Sequence, residues 1–209
     1  MVMKAPLNTG GCMQNWIHPV TLTGQHVTLR PLEVQDFEAL YHTLSPGLLR
    51  WFSVRGLNGE GNITLDAFIE AYHQIVQQRV VFATCLKDTG EIIGSTSYLT
   101  IEPLNRGLEI GGTWVRKDQQ GTQINPEAKY LMLKHAFETL GAIRVSLKTH
   151  HLNLQSQRAI EKLGAKKEGV LRNHVIMPDG SYRHSVMYSI LEDEWPEVKK
   201  GLEARVYGG

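Results

Sequence analysis

Apolar and polar positions change period along the chain, and each change marks an element. Residues 20–22, a turn at Gly24 and residues 27–32 read as a first hairpin or strand, with Pro31 ending it or placing it near a sheet edge. Residues 36–44 read as a short helix stopped by Pro46 and Gly47. Three glycines (Gly56, Gly59, Gly61) make residues 55–62 a mobile loop in this reading. Thr64 suits the N-cap of a helix running to about Gln78, with Leu65, Phe68, Ile69, Tyr72, Ile75 and Val76 on one face. Residues 80–86, a turn at 88–90 and residues 91–101 then give strand, turn and strand.

Residues 108–115 form another apolar strand, and Gly111–Gly112 inside it signals a bulge or a close backbone approach. A polar loop, 116–125, leads to a helix over 126–140, with Asn125 as N-cap, Pro126 at the first helical position and Gly141 just past the end. Its core stripe is Ala128, Leu131, Met132, His135, Ala136 and Leu140. A strand at 143–149, a helix at 153–163 closed by Gly164, a hairpin about 178–180 and a charged surface helix from about 193 complete the pattern. The order predicts an α/β protein of the α+β kind: a mixed, mostly antiparallel sheet flanked by helices. Residues 1–19 are expected to be an N-terminal arm, and residues 20–209 one domain that includes the final helix.

Composition narrows the function. Lys and Arg number 22 against 21 Asp and Glu, a net charge of +1, so no broad cationic surface argues for nucleic acid. Two cysteines, Cys12 and Cys85, cannot make a disulfide framework or a four-thiolate zinc site. The nine histidines are scattered, and His150–His151 reads as a loop pair without a third metal ligand. No apolar run reaches the ~20 residues of a membrane span, and the first twelve residues lack the apolar stretch of a secretory signal. A cytoplasmic chain without metal, membrane or nucleic acid is expected.

The chemistry is expected at 108–125, where a glycine-interrupted strand runs through a loop into a helix start. Unpaired N–H groups and partial positive charge at such a start suit a diphosphate, although the same pattern also fits an ordinary strand-to-helix turn. Neither G-x-x-x-x-G-K-[ST] nor G-x-G-x-x-G is present.

An ordered set of segments resembles the GNAT-superfamily N-acetyltransferases of the RimJ/RimL-like branch, which acetylate protein N-termini and other amines. It consists of Leu-Glu-Ile-Gly-Gly-Thr-Trp (108–114), Asn-Pro-Glu-Ala-Lys-Tyr-Leu (125–131), His-Ala-Phe (135–137), Ala-Ile-Arg-Val (142–145), Asn-Leu-Gln-Ser-Gln-Arg-Ala-Ile (153–160), Leu-Gly-Ala (163–165), Glu-Gly-Val-Leu-Arg (168–172) and Pro-Asp-Gly (178–180). No one motif is specific; their order and spacing carry the likeness, from about Val20 to Trp195. The resemblance implies acetyl-CoA as donor, with its pantetheine arm along a strand splayed from its parallel neighbour at Trp114 and Val115. It places the pyrophosphate on Gln120, Gly121, Thr122, Gln123, Ile124 and Asn125, the pantetheine on Asn153, and Ser156 near the acetyl sulfur. One departure stands out: the family's central loop glycine is Gln123 here, where a side chain restricts backbone approach.

A protonated amine cannot attack a thioester, so a proton must leave. Glu109 is the candidate base, through water; the same residue also reads as an ion-paired strand carboxylate. Val115 or Trp114 would supply an N–H to the oxyanion. Ser156 would donate to the leaving thiolate, or is simply a first-turn serine. His174 and Tyr188, on the last hairpin, are candidate proton shuttles, against the readings of a solvent-facing histidine and a buried, satisfied tyrosine. Trp51, Phe52 and Arg55 border the expected acceptor pocket. Lys162, Lys166, Lys167 and Arg172 could meet the 3′-phosphate of CoA, or form a solvated face. The function expected is N-acetyl transfer to a primary amine in a ternary complex; a CoA-binding protein without catalysis is the rival, and a homodimer remains open by analogy alone.

Overall fold

The structure, a computed structural model, describes residues 16–45, 47–54 and 63–208. Its centre is one eight-stranded sheet in the order β1-β2-β3-β4-β5-β6-β8-β7. The strands are β1 (Leu22–Thr23), β2 (Val27–Pro31), β3 (Val80–Leu86), β4 (Ile92–Glu102), β5 (Gly107–Val115), β6 (Arg144–His150), β7 (Lys166–Ile176) and β8 (Tyr182–Leu191). Every neighbouring pair is antiparallel except β5 and β6. The expected mixed sheet is therefore present. Pro31 does end its strand, beyond the two-residue β1.

Helices α1 (Phe37–Tyr41) and α2 (Leu65–Gln78) cover one face, where Phe37, Leu40, Phe68, Tyr72, Val81 and Trp114 are buried together. Thr64 caps α2 as expected, its Oγ1 accepting the Ala67 N–H at 3.3 Å. The glycine-rich loop at 55–62, with Arg55, lies outside the described residues.

Helices α3 (Ile124–Lys134), α4 (Leu154–Glu161) and α5 (Trp195–Tyr207) belong to the other face, whose larger core includes Leu108, Ile110, Met132, Leu147, Ile160 and Tyr188. The last helix does more than lie on the surface. It buries Trp195, Leu202 and Val206, with Trp195 stacked on Phe137 at 5.3 Å, so α3 is sandwiched between sheet and α5. The start of the described chain is tied down as well, since Trp16 Nε1 donates to the Leu140 carbonyl at 2.9 Å.

Two expectations for α3 need correction. It begins at Ile124, and its N-cap position is Gln123 rather than Asn125. The reason is local: the Thr122 hydroxyl already accepts the Ile124 N–H at 3.3 Å, and Pro126 sits within the first turn, where its missing N–H has no helical acceptor to lose. At the other end a π-helical turn, His135–Thr139, advances the buried face. Phe137, within that turn, is buried, as is Leu133 before it, while Leu131, His135 and Leu140 are only partly covered.

Candidate functional site

The parallel pair β5/β6 opens like a fork. Only Gly107, Leu108 and Glu109 pair with β6, opposite Arg144, Val145 and Ser146; both strands continue apart, to Val115 and His150. On its other side β5 stays joined to β4, but Ser95 lies opposite Trp114 and Ser97 opposite Gly111, so β5 carries one extra residue. This is the bulge expected from the two glycines, and Gly112 takes it with φ +59°.

The direction of the bonds beyond the bulge matters. The Arg116 N–H donates to Ile93 O on β4 at 2.7 Å. A Cβ at Gly94 would strike the Trp114 carbonyl, so that group also faces β4. By strand alternation the polar groups of Val115 then face the gap. The Val115 carbonyl receives Gln120 Nε2 at 3.0 Å there. Of the two residues expected to offer an N–H to the gap, Val115 has the right orientation.

The loop leading into α3 has an anion-receptive backbone. Gly121 carries the left-handed conformation, φ +78°, while Gln123 is exposed with φ −74° and ψ −11°. An ordinary helical conformation accommodates the Gln123 side chain, so the departure from the family pattern brings no backbone strain. Among the described residues, the N–H groups of Gly121, Thr122, Gln123 and Asn125 have no protein acceptor, and they sit at the positive end of α3. The expected residues therefore fit a diphosphate with a pantetheine arm along the gap. At the far side of the fork, Asn153 caps α4 by accepting the Ser156 N–H at 3.0 Å. Its Oδ1 is thereby used, and its amide nitrogen is what remains for a substrate.

Strand alternation also sorts the candidate catalytic residues by face. Leu108 and Ile110 face α3, so Glu109 faces the α1/α2 side, as do Ser146 opposite it and Lys148 two residues on. Ser185 lies opposite His150 on that face, and Arg183 follows. Glu109, 4 % exposed, receives Lys148 Nζ at 2.9 Å and Thr100 Oγ1 at 3.4 Å. His174 Nδ1 is 3.0 Å from Ser185 Oγ, and burial pushes its pKa down. Trp51 covers this end, its ring tilted against His150 at 4.6 Å, and Phe52 packs edge-on against Trp114. Burial, reinforced by His151 and the nearby arginines, pushes His150 down to about 4, so it is a neutral wall residue at pH 7.

Tyr188 is not part of this group. It lies opposite Leu147, on the α3/α4 face, fully buried. Its hydroxyl donates to Glu161 Oε1 at 3.0 Å, and burial with that carboxylate pushes it up to about 12. The structure gives it the buried, satisfied role. Of the basic residues weighed for the 3′-phosphate, Lys166 is paired with Glu194 at 2.6 Å, while Lys167 and Arg172 are exposed on β7.

One buried cation was not anticipated. Lys129 of α3 is buried behind the bulge, donating to Thr96 Oγ1 at 2.9 Å and Thr113 Oγ1 at 2.5 Å with no carboxylate partner among the described residues. Desolvation pulls it down to about 7. A folded-state pKa below the unfolded value of 10.5 means that the unfolded chain binds the extra proton between those limits. The penalty is full below about pH 7 and is relieved as pH rises towards 10.5. Wild type should therefore gain about 2 kcal/mol over Lys129→Met between pH 7 and pH 9. Parallel denaturant titrations of the two proteins would detect this, and equal slopes with pH would refute it.

A sequence profile of the acetyltransferase (GNAT) domain matches residues 26–166. The chain belongs to the GNAT acetyltransferase family. The "Putative ribosomal N-acetyltransferase YdaF" of Bacillus subtilis (strain 168) is 27 % identical over 179 residues, 84 % of this chain and 96 % of that protein. The crystal structure of a putative acetyltransferase from T. thermophilus is 39 % identical, with TM-score 0.83 over 92 % of this chain and 100 % of that one. RimJ of Mycobacterium smegmatis, solved with CoA-disulfide, shares the fold at TM-score 0.73 and 21 % identity, over 90 % of this chain and 95 % of that one. As a GNAT protein the chain is an acetyl-CoA-dependent acetyltransferase. No helix of the described residues is long and apolar enough to cross a membrane.

Proposed function

We propose that this GNAT protein acetylates a primary amine by direct attack on acetyl-CoA lying in the β5/β6 fork, with Glu109 as proton acceptor. The observation that carries this is the position of Glu109. It is the last residue of β5 paired to β6, buried, and on the face that Trp51 covers. An amine approaching a thioester in the gap from that face would meet the carboxylate directly or through one water. Lys148 and Thr100 hold the carboxylate in place. The Val115 N–H offers charge to the oxyanion. Ser156 donates to the leaving thiolate, whose ordinary pKa of ~8.5 asks for little assistance.

Cys85 supports a route without an acetyl-enzyme. It lies buried in β3, and burial raises its thiol pKa, which makes it a poor nucleophile. The name of the Bacillus subtilis relative, a putative ribosomal N-acetyltransferase, makes ribosomal-protein peptides the first acceptors to try. The test is an acetyl-CoA consumption assay over peptides and small amines. Ser156→Ala should lower kcat by about 3- to 10-fold, since one neutral hydrogen bond to the leaving group is removed. Unchanged kcat in that variant would remove Ser156 from the mechanism.

A further inference from the structure

Arg183 is a buried charge for which the transfer reaction has no use. It is 7 % exposed, on the same face as Glu109, at the end of β8 nearest the mouth of the fork. Buried arginines are ordinarily matched by a carboxylate. Arg30 has Asp36, Arg116 has Glu91 and Asp118, and Arg144 has Glu168. Among the described residues no carboxylate lies within ion-pair distance of Arg183. Nε donates to Ser185 Oγ at 3.1 Å and Nη1 to the Trp51 carbonyl at 3.2 Å. Both acceptors are neutral and hold the guanidinium plane still.

Among the described residues the third nitrogen, Nη2, has no acceptor, and it is not among the buried polar atoms sealed off without a partner. Arg183 keeps 7 % of its surface exposed. Burial depresses the guanidinium pKa, and the field of Glu109 only partly opposes this. Glu109 itself is already neutralised by Lys148. The three charges lie close enough to act together on His174, and they sum to one positive charge on this face.

We propose that the acceptor amine carries a carboxylate, and that Arg183 is the receptor for that carboxylate. The proposal rests on the acetyl-transfer reading and names its substrate class. The amine end goes to Glu109 and the acid end to Nη2 of Arg183, where a charge-assisted bond forms on a pre-oriented donor. Trp51 fixes the guanidinium by its carbonyl and carries Arg50 over its ring at 4.9 Å, so the covering segment adds positive charge. The carboxylate could be the α-carboxylate of a free amino acid or an acidic side chain near a peptide N-terminus.

The experiment uses matched acceptors at saturating acetyl-CoA. One pair is a Ser-Glu-initiated peptide and its Ser-Gln counterpart; the other is an amino acid and its amide. In at least one pair the acid should have the higher kcat/KM, by about 10- to 100-fold. The pair that shows the preference identifies the source of the carboxylate. Arg183→Gln should bring the pair near parity by raising KM for the acid, with KM for acetyl-CoA unchanged. Arg183→Lys, which keeps the charge, should retain part of the preference. Equal values in both pairs of the wild-type protein, a preference for the amides, or a preference that survives Arg183→Gln would overturn the proposal. If no amine is acetylated, calorimetry of the CoA-loaded protein with the same pairs decides. Arg183-dependent binding of the acids alone would uphold the carboxylate receptor while the transfer reading fails, and no selective binding would sink the receptor too.

Discussion

Replacing Glu109 with glutamine should lower kcat for amine acetylation by about 100-fold, the ordinary worth of a positioned proton acceptor. Glutamine keeps the size of the side chain and can still accept from Thr100, so the shape of the fork is retained. What it loses is the ability to take a proton and the ion pair with Lys148. KM for acetyl-CoA should change little, because the proposed donor site is made of backbone groups of β5 and the start of α3. The loss should shrink at alkaline pH, where the acceptor amine reaches the site already deprotonated. A variant with undiminished kcat at neutral pH would move the proton-accepting role to His174, another titratable group brought to this face.

The largest effect on stability is expected at Glu127, in the first turn of α3. Its carboxylate is fully buried and accepts three consecutive backbone N–H groups, from Gln25, His26 and Val27, at 2.6, 2.7 and 2.8 Å. It thereby joins the β1–β2 turn to the helix start, which also favours a negative charge. Alanine would strand all three donors, and a Cβ at Gly24 would meet the same carboxyl group, which shows how closely the turn is wrapped round it. Glu127→Ala should cost about 3–5 kcal/mol. Thermal unfolding measures it, and a loss below about 1 kcal/mol would show that water replaces the carboxylate without cost.

Some of this could be read from the chain and some could not. The Thr64 cap, the Gly111–Gly112 bulge and the closing hairpin rest on local chemistry, where a few neighbouring residues decide the conformation. The start of α3 differs from expectation because Asn125–Pro126 resembles a cap and first position, although the Thr122 hydroxyl does that work three residues earlier. The far end of its buried stripe follows a π-helical turn that changes the phase, and no periodicity count anticipates one.

At the site, Glu109 stands out in the sequence as a charge between two core residues. Lys148 and Arg183 do not, because a cation on a strand reads as solvated until its neighbours are known. Lys129 is hidden in the same way: a helix lysine reads as facing water until Thr96 and Thr113 are seen against it. Tyr188 is a candidate in the sequence because its strand borders the site, but strand parity points it away from Glu109.

The central claim is amine-dependent release of CoA thiol. The purified protein is mixed with acetyl-CoA and each acceptor in turn, with thiol release and acceptor mass followed together. The expected result is thiol release in step with an N-acetylated acceptor, none without an acceptor, and no acetylated Cys85 on the protein. Thiol release that ignores the acceptor, a Cys85 acetyl-enzyme that forms and turns over, or CoA binding with no transfer to any amine would contradict it.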